Sequence, residues 1–188
     1  VIGDDLAEGI FYGLQETFLS DPRIQVAPKP TILNGLMRPD HAEKVVELEE
    51  TLKRDAPAVA VLMLGAWDRV SLRTASGKRV PVGSPEWRAE YGQRADRLLK
   101  MMKRLGIGVY LVGLPNMRKY DANEDVQMMN DVLRERTYLN GMRYIAKALN
   151  DDHAPSPRSQ QRRPTAWAPS SIREVLYRDL YHGVIVWN

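Results

Sequence analysis

The chain has no cysteine. That absence removes disulfide cross-links, thiolate nucleophiles and cysteine-ligated metals together, and a chain without thiols suits the cytoplasm and the periplasm equally. No apolar run approaches the ~18 residues that a membrane-crossing helix needs. No secretory leader pattern is visible. The chain nevertheless opens at Val1, with only two residues of strand before a turn. This predicts a missing preceding segment, which is where an export signal would sit. Histidine is scarce, at positions His41, His153 and His182, so a general base has few seats. No internal repeat is detectable.

What remains is an ordinary globular composition. The 188 residues are 44% hydrophobic and 27% charged, which predicts one soluble domain with a sizeable core. The net charge is +3 and the pI about 9.2. Much of the basic excess falls in the tail, at Arg158, Arg162 and Arg163. A cluster of this kind can meet nucleic acid or another anionic polymer. A solvated loop is the preferred account, so nucleic acid is not an expected partner.

The apolar spacing sets out the elements. Residues 1–4 read as the end of a strand. Leu6, Ile10, Leu14 and Phe18 share one face of a helix. Residues 24–26 and 31–33 read as short extended pieces among prolines. A second helix is predicted over 40–54, with Val45, Leu48 and Leu52 inward. Residues 58–64 (AVAVLML) and 107–114 (IGVYLVGL) have the look of parallel strands buried on both faces. Between them, weak alternation around Ser76-Gly77 predicts a hairpin over 70–82. Ser84 and Pro85 open a helix that ends near Gly106. A further helix is predicted from Asp121 to about Leu139, with Val126, Met129, Asn130 and Leu133 on one side and Asn140-Gly141 as its stop. Residues 142–146 fit strand or helix equally. After Asp152 the pattern breaks into Pro, Ser, Arg and Gln, before a short helix from Ile172 to about Tyr181.

Alternating strands and helices predict an α/β sandwich with a mostly parallel sheet over residues 1–150, followed by an atypical basic tail over 151–188. In such sheets the working groups gather in loops at the carboxyl ends of the strands. Those loops are Gly3–Ala7, Gly65–Arg69 and Pro115–Tyr120, and His182 is a fourth candidate.

The residues in these loops form linked blocks: Gly3-Asp4-Asp5-Leu6-Ala7, Gly35-Leu36-Met37-Arg38-Pro39-Asp40, Leu64-Gly65-Ala66-Trp67-Asp68-Arg69, then Trp87, Tyr91 and Val112-Gly113-Leu114-Pro115 with Met117. In this order the chain resembles the SGNH (GDSL-like) hydrolases over residues 1 to about 146, in particular a bacterial branch whose members are often exported. The resemblance implies a three-layer sandwich around a flavodoxin-like five-stranded sheet. It also implies ester hydrolysis by a serine after the first strand, served by a late Asp-x-x-His pair and an oxyanion hole. Carried over position by position, the serine falls on Asp5, the oxyanion glycine on Gly35 and the oxyanion asparagine on Trp67, beside Asp68. Asp179 and His182 have the spacing of the pair.

The departures bear directly on the chemistry. Attack by the Asp5 carboxylate on an ester would form an anhydride, and its charge opposes the developing oxyanion. Trp67 removes an oxyanion donor, a loss of about 10²–10³ in rate. The sequence therefore predicts an inactive or severely impaired esterase, a pseudoenzyme that keeps a pocket for an acylated glycan or similar ester. No cofactor is expected, and a periplasmic or exported setting follows from the resemblance. An alternative gathers Asp4, Asp5 and Asp68 around a divalent cation for changed hydrolytic chemistry. The plainer account is preferred: Asp4 caps the turn or the following helix, Asp68 bonds loop backbone, and Asp5 is drift. His41 is read as a surface or capping residue. Trp67, Trp87, Tyr91 and Tyr120 are weighed as a ligand groove against ordinary core. The tail reads as a terminus that drifted or was replaced, for instance through a shift of reading frame.

Overall fold

From the N-terminus the elements are β1 (Ile2–Gly3), α1 (Ala7–Thr17), α2 (His41–Asp55), β2 (Val59–Met63), β3 (Leu72–Arg73), β4 (Arg79–Val80), α3 (Pro85–Arg104), β5 (Gly108–Leu111), α4 (Tyr120–Asp151) and α5 (Pro169–Leu176). They come from a computed structural model that describes residues 1–27, 33–73, 77–156 and 166–176. The chain is a mixed α/β protein and divides into two units, residues 1–134 and 135–188.

In the first unit a small parallel sheet runs β1-β2-β5. Its register places Ile2 opposite Leu62, Gly3 opposite Met63, and Leu62 opposite Leu111. All three strands therefore end at one edge, and the following loops start side by side. Among the described residues the parallel sheet has three strands. Residues 24–26 form no strand, the Ile24 N–H instead bonding the Asp21 carbonyl at 3.1 Å, and 28–32 lie outside the described residues. The expected hairpin is present, with Leu72 paired to Val80 and Arg73 to Arg79.

The run over 107–114 differs from its expectation. Among the described residues β5 is the last strand of its sheet, and Tyr110 is 67% exposed. An apolar edge strand and an apolar central strand have the same composition, so the sequence pattern does not separate them. Val59 on β2 is likewise exposed.

α3 follows its capping residues. Ser84 Oγ accepts the Trp87 N–H at 3.3 Å, with Pro85 in the first turn. Its buried face carries Trp87, Tyr91, Ala95, Leu98 and Met102. The rings of Trp87 and Tyr91 stack at 4.9 Å and 16°, and the Trp87 indole N–H donates to the Val70 carbonyl at 2.9 Å. These two aromatics are core, joined there by Leu36, Leu62 and Met129.

α4 runs straight through Asn140-Gly141, where a stop was expected, and makes residues 142–146 helical. A glycine inside a helix costs only about 1 kcal/mol relative to alanine. Packing of Met142 and Ala146 with Ile172 in the second unit outweighs that. Each part of α4 carries its own apolar stripe: Val126, Met129 and Leu133 in the first unit, Met142, Ala146 and Leu149 in the second. Within the second unit the Asn150 carboxamide pairs with the Trp167 backbone in both directions, at 2.6 and 3.0 Å. The Trp167 indole N–H donates to the Ala154 carbonyl at 3.0 Å. α5 then begins at Pro169, three residues earlier than expected.

Candidate active site

At the strand ends of the first unit, two buried carboxylates tie loops together. Asp4 follows β1 directly. Its Oδ1 accepts the Leu6 N–H at 3.2 Å, and its Oδ2 accepts the N–H groups of Gly65 and Ala66 at 3.0 and 2.8 Å. Asp68 does the same for a third loop, accepting the Leu36 N–H at 2.9 Å and the Met37 N–H at 2.8 Å. Both side chains are fully buried. Burial raises both carboxyls, Asp68 to about 6, against the pull of their backbone hydrogen bonds, and Asp4 adds to the shift of Asp68.

Two glycines let the loops come this close. Gly35 has φ +153°, and a Cβ there would sit 2.5 Å from Asp68 Oδ1. Gly65 has φ +130°, and a Cβ there would sit 2.8 Å from Leu114 Cδ1 and 3.1 Å from the Tyr91 hydroxyl. That hydroxyl is buried without a hydrogen-bond partner among the described residues. Burial, then Asp68 and Asp4, push its ionisation well above the usual tyrosine range, so it stays a neutral phenol.

The loop after Gly65 is pinned by Arg69, whose guanidinium reaches Asp125 at 2.8 Å and Asp121 at 3.2 Å. The Pro115–Tyr120 loop is held by side-chain amides of α4. Asn130 Oδ1 accepts the Leu114 N–H and its Nδ2 donates to the Leu114 carbonyl, both at 2.9 Å, while Asn123 Oδ1 accepts the Met117 N–H at 3.0 Å. The three loops singled out from the sequence thus start together, and Gly35 joins them through Asp68.

On this frame Asp5 is exposed, in the turn after β1. Trp67 is 56% exposed and Tyr120 78% exposed, each in a strand-end loop or just past one. Of the four aromatics weighed as a groove, these two face solvent and the other two are core. Asp179, His182 and the arginines 158, 162 and 163 lie outside the described residues. Among the described residues no group of three or more His, Asp or Glu side chains is arranged to hold a metal ion.

His41 differs from its expected place. It is the first residue of α2, only 4% exposed, and makes no capping hydrogen bond. Sequence reasoning also passed over Arg94. Its Nη1 donates to the carbonyls of Leu36 and Arg38 at 2.8 and 3.0 Å, and its Nε to Glu90 at 2.6 Å. The available signal was the Glu90–Arg94 spacing, four residues apart on a helix.

No helix among the described residues is long and apolar enough to cross a membrane. The chain matches no curated protein. A family model named Recombinase matches residues 123–188, which take in the helix predicted from Asp121 and the tail over 151–188 that the sequence reads as drifted or replaced. A second family model matches residues 1–154, which include every strand-end loop described above. By that match the chain belongs to the family described as "Protein of unknown function (DUF459)".

Proposed function

We propose that the first unit descends from SGNH-type ester hydrolases and now binds an ester ligand, such as an acylated glycan, without cleaving it. In this reading its full ancestral architecture is the five-stranded flavodoxin-like sheet, and its setting is periplasmic or exported. The DUF459 family, commonly associated with SGNH-like hydrolases, supports the descent. The observation that carries the loss of chemistry is Asp5, an exposed carboxylate in the turn where such hydrolases keep serine. It cannot form a stable acyl ester, and its charge opposes an oxyanion beside it. Trp67 offers solvent an apolar ring in place of an amide donor, which suits stacking on a sugar or acyl face. A divalent-cation mechanism has less support, because Asp4 and Asp68 already serve five backbone N–H groups.

Incubation with p-nitrophenyl acetate is expected to give no release above buffer, with or without Asp5→Ala. Binding of an O-acetylated oligosaccharide, followed by calorimetry, is expected to weaken about tenfold in Trp67→Ala, the scale of one lost aromatic contact. Saturable hydrolysis that disappears in Asp5→Ala would sink the reading.

The Recombinase match favours a second reading for the other unit. We infer that the original terminus was replaced by a segment of recombinase origin, and that this segment binds nucleic acid through Arg158, Arg162 and Arg163. Fluorescence anisotropy on a DNA duplex is expected to show affinity falling steeply with salt. The slope should flatten by about 3 when the three arginines are changed to alanine. Salt-independent binding, or a slope the triple variant leaves unchanged, counts against it.

A further inference from the structure

Asp68 dictates which residue follows Asn34. A Cβ at position 35 would sit 2.5 Å from Asp68 Oδ1, and Gly35 has φ +153°, so the loop calls for glycine there. That close approach lets Asp68 accept the N–H groups of Leu36 and Met37 at 2.9 and 2.8 Å. The pair Asn34-Gly35 is therefore a requirement of the fold. It is also the setting in which an asparagine amide is chemically least secure, because a glycine nitrogen has no neighbouring side chain to hinder its attack on the amide carbon.

The local structure leaves that attack open. Asn34 lies in a bend between α1 and α2, in neither helix nor strand, and is half-buried, so water reaches it. The grip of Asp68 begins one residue beyond Gly35, at the Leu36 N–H. The other Asn-Gly pair of the chain, Asn140-Gly141, is placed differently. α4 runs through it, and a helix commits the Gly141 N–H to the carbonyl four residues earlier.

We propose that Asn34 is a self-modifying site: the Gly35 nitrogen closes a succinimide on it, and the isoaspartate that follows frees the Gly35 loop from Asp68. Hydroxide removes the proton of the Gly35 N–H, and the nitrogen bonds Asn34 Cγ. The Cγ–Nδ2 bond breaks, and Nδ2 leaves as ammonia, taking a proton from water and regenerating the hydroxide. A second water opens the ring, its hydroxyl going to one ring carbonyl carbon and its proton to the nitrogen. Cleavage at Cγ gives aspartate. Cleavage at the main-chain carbonyl carbon gives isoaspartate, whose backbone runs through Cβ and Cγ and is one carbon longer. Nothing is oxidised or reduced. Both products add a negative charge, but only isoaspartate shifts Gly35, which has no room to spare against Asp68. The inference concerns the chain's own chemistry and stands without the ligand reading.

The test keeps the full chain folded at mildly alkaline pH and physiological temperature, then digests it at acid pH. Mass spectrometry with electron-transfer fragmentation separates isoaspartate from aspartate in the peptides. Asn34 is expected to convert about tenfold faster than Asn140 or more, the factor set by one helical hydrogen bond that must first break at Gly141. In denaturant the two rates should converge. Equal rates in the folded chain, faster conversion at Asn140, a ratio that persists in denaturant, or a product at position 34 without isoaspartate overturns the site. Amide exchange reads the loop. In the fraction carrying isoaspartate, Leu36 and Met37 should lose protection about tenfold or more, the scale of one loop hydrogen bond. Leu62 of β2 should be unchanged. Freshly prepared Asn34→Asp, which adds the charge without lengthening the backbone, should keep native protection. Native protection in the isoaspartate fraction, a parallel loss at Leu62, or an equal loss in Asn34→Asp overturns the release.

Discussion

Gly3→Ala is expected to leave no folded protein. Gly3 is paired with Met63 in the β1–β2 register, and an added Cβ would land on the Met63 carbonyl oxygen and close to the Ala7 side chain. The obstructing atom is backbone in the middle strand of the sheet, so no rotamer change relieves it. Overpacking a core usually costs about 1–3 kcal/mol because side chains can shift. Here β1 would have to leave β2, which also removes the Asp4 N–H to Met63 carbonyl bond at 3.3 Å and misplaces the Asp4 carboxylate. The loss then reaches the ~5–15 kcal/mol that stabilises a whole domain. Circular dichroism and the soluble yield measure it. Gly13→Ala is the control, because a Cβ there meets nothing within 4 Å. Placed inside α1, that change is expected to add stability by up to about 1 kcal/mol. A Gly3→Ala protein that melts within a few degrees of the native one would contradict the pairing of β1 with β2.

Asp4→Ala carries the second large effect. The native carboxylate satisfies the N–H groups of Leu6, Gly65 and Ala66, and alanine would leave them without their acceptor, Gly65 in a buried site and the other two in partly buried ones. Each unsatisfied donor costs about 1–3 kcal/mol. Relief of the cost of burying a charge offsets part of this, so a net loss of about 3–5 kcal/mol is expected by denaturant unfolding. Asp4→Asn keeps one acceptor oxygen and should lose roughly half as much. The same variants change a neighbour: Asp4 helps to raise the Asp68 carboxyl, so Asp68 should titrate below its native value of about 6 in Asp4→Ala. Carboxyl NMR reads that directly. An unmoved Asp68 would mean that the two carboxylates do not sense one another.

The parts of the fold that could be read from the sequence are those specified by local chemistry. Ser84 and Pro85 announce the start of α3 because a cap acts within one turn. The pairing of Leu72 with Val80 and of Arg73 with Arg79 is likewise local. The loops of the candidate site were legible because parallel strands deliver their ends to one edge. The role of Asp68 as an acceptor for loop backbone was also foreseeable, since a short carboxylate in a loop does this often.

What escaped depends on contacts distant in sequence. Nothing in IGVYLVGL tells that Tyr110 on β5 faces solvent. Asn140-Gly141 carries a helix-stop signal that packing around Met142 and Ala146 overrides. A histidine after Pro39-Asp40 looks like a surface cap, and its burial comes from packing that no local pattern announces. Arg94 is an unremarkable helical arginine until the carbonyls of Leu36 and Arg38 arrive, from more than fifty positions earlier in the chain.

The division of the chain at residue 134 has a practical consequence. It falls inside α4 and not in a linker, so there is no natural place to cut. A gene stopped at Arg134 would strip the last four carbonyls of the shortened helix of their N–H partners, right beside Val126, Met129 and Leu133. Anyone preparing the first unit alone should carry the whole of α4 and replace the apolar side chains at Met142, Ala146 and Leu149, which would otherwise lose their cover.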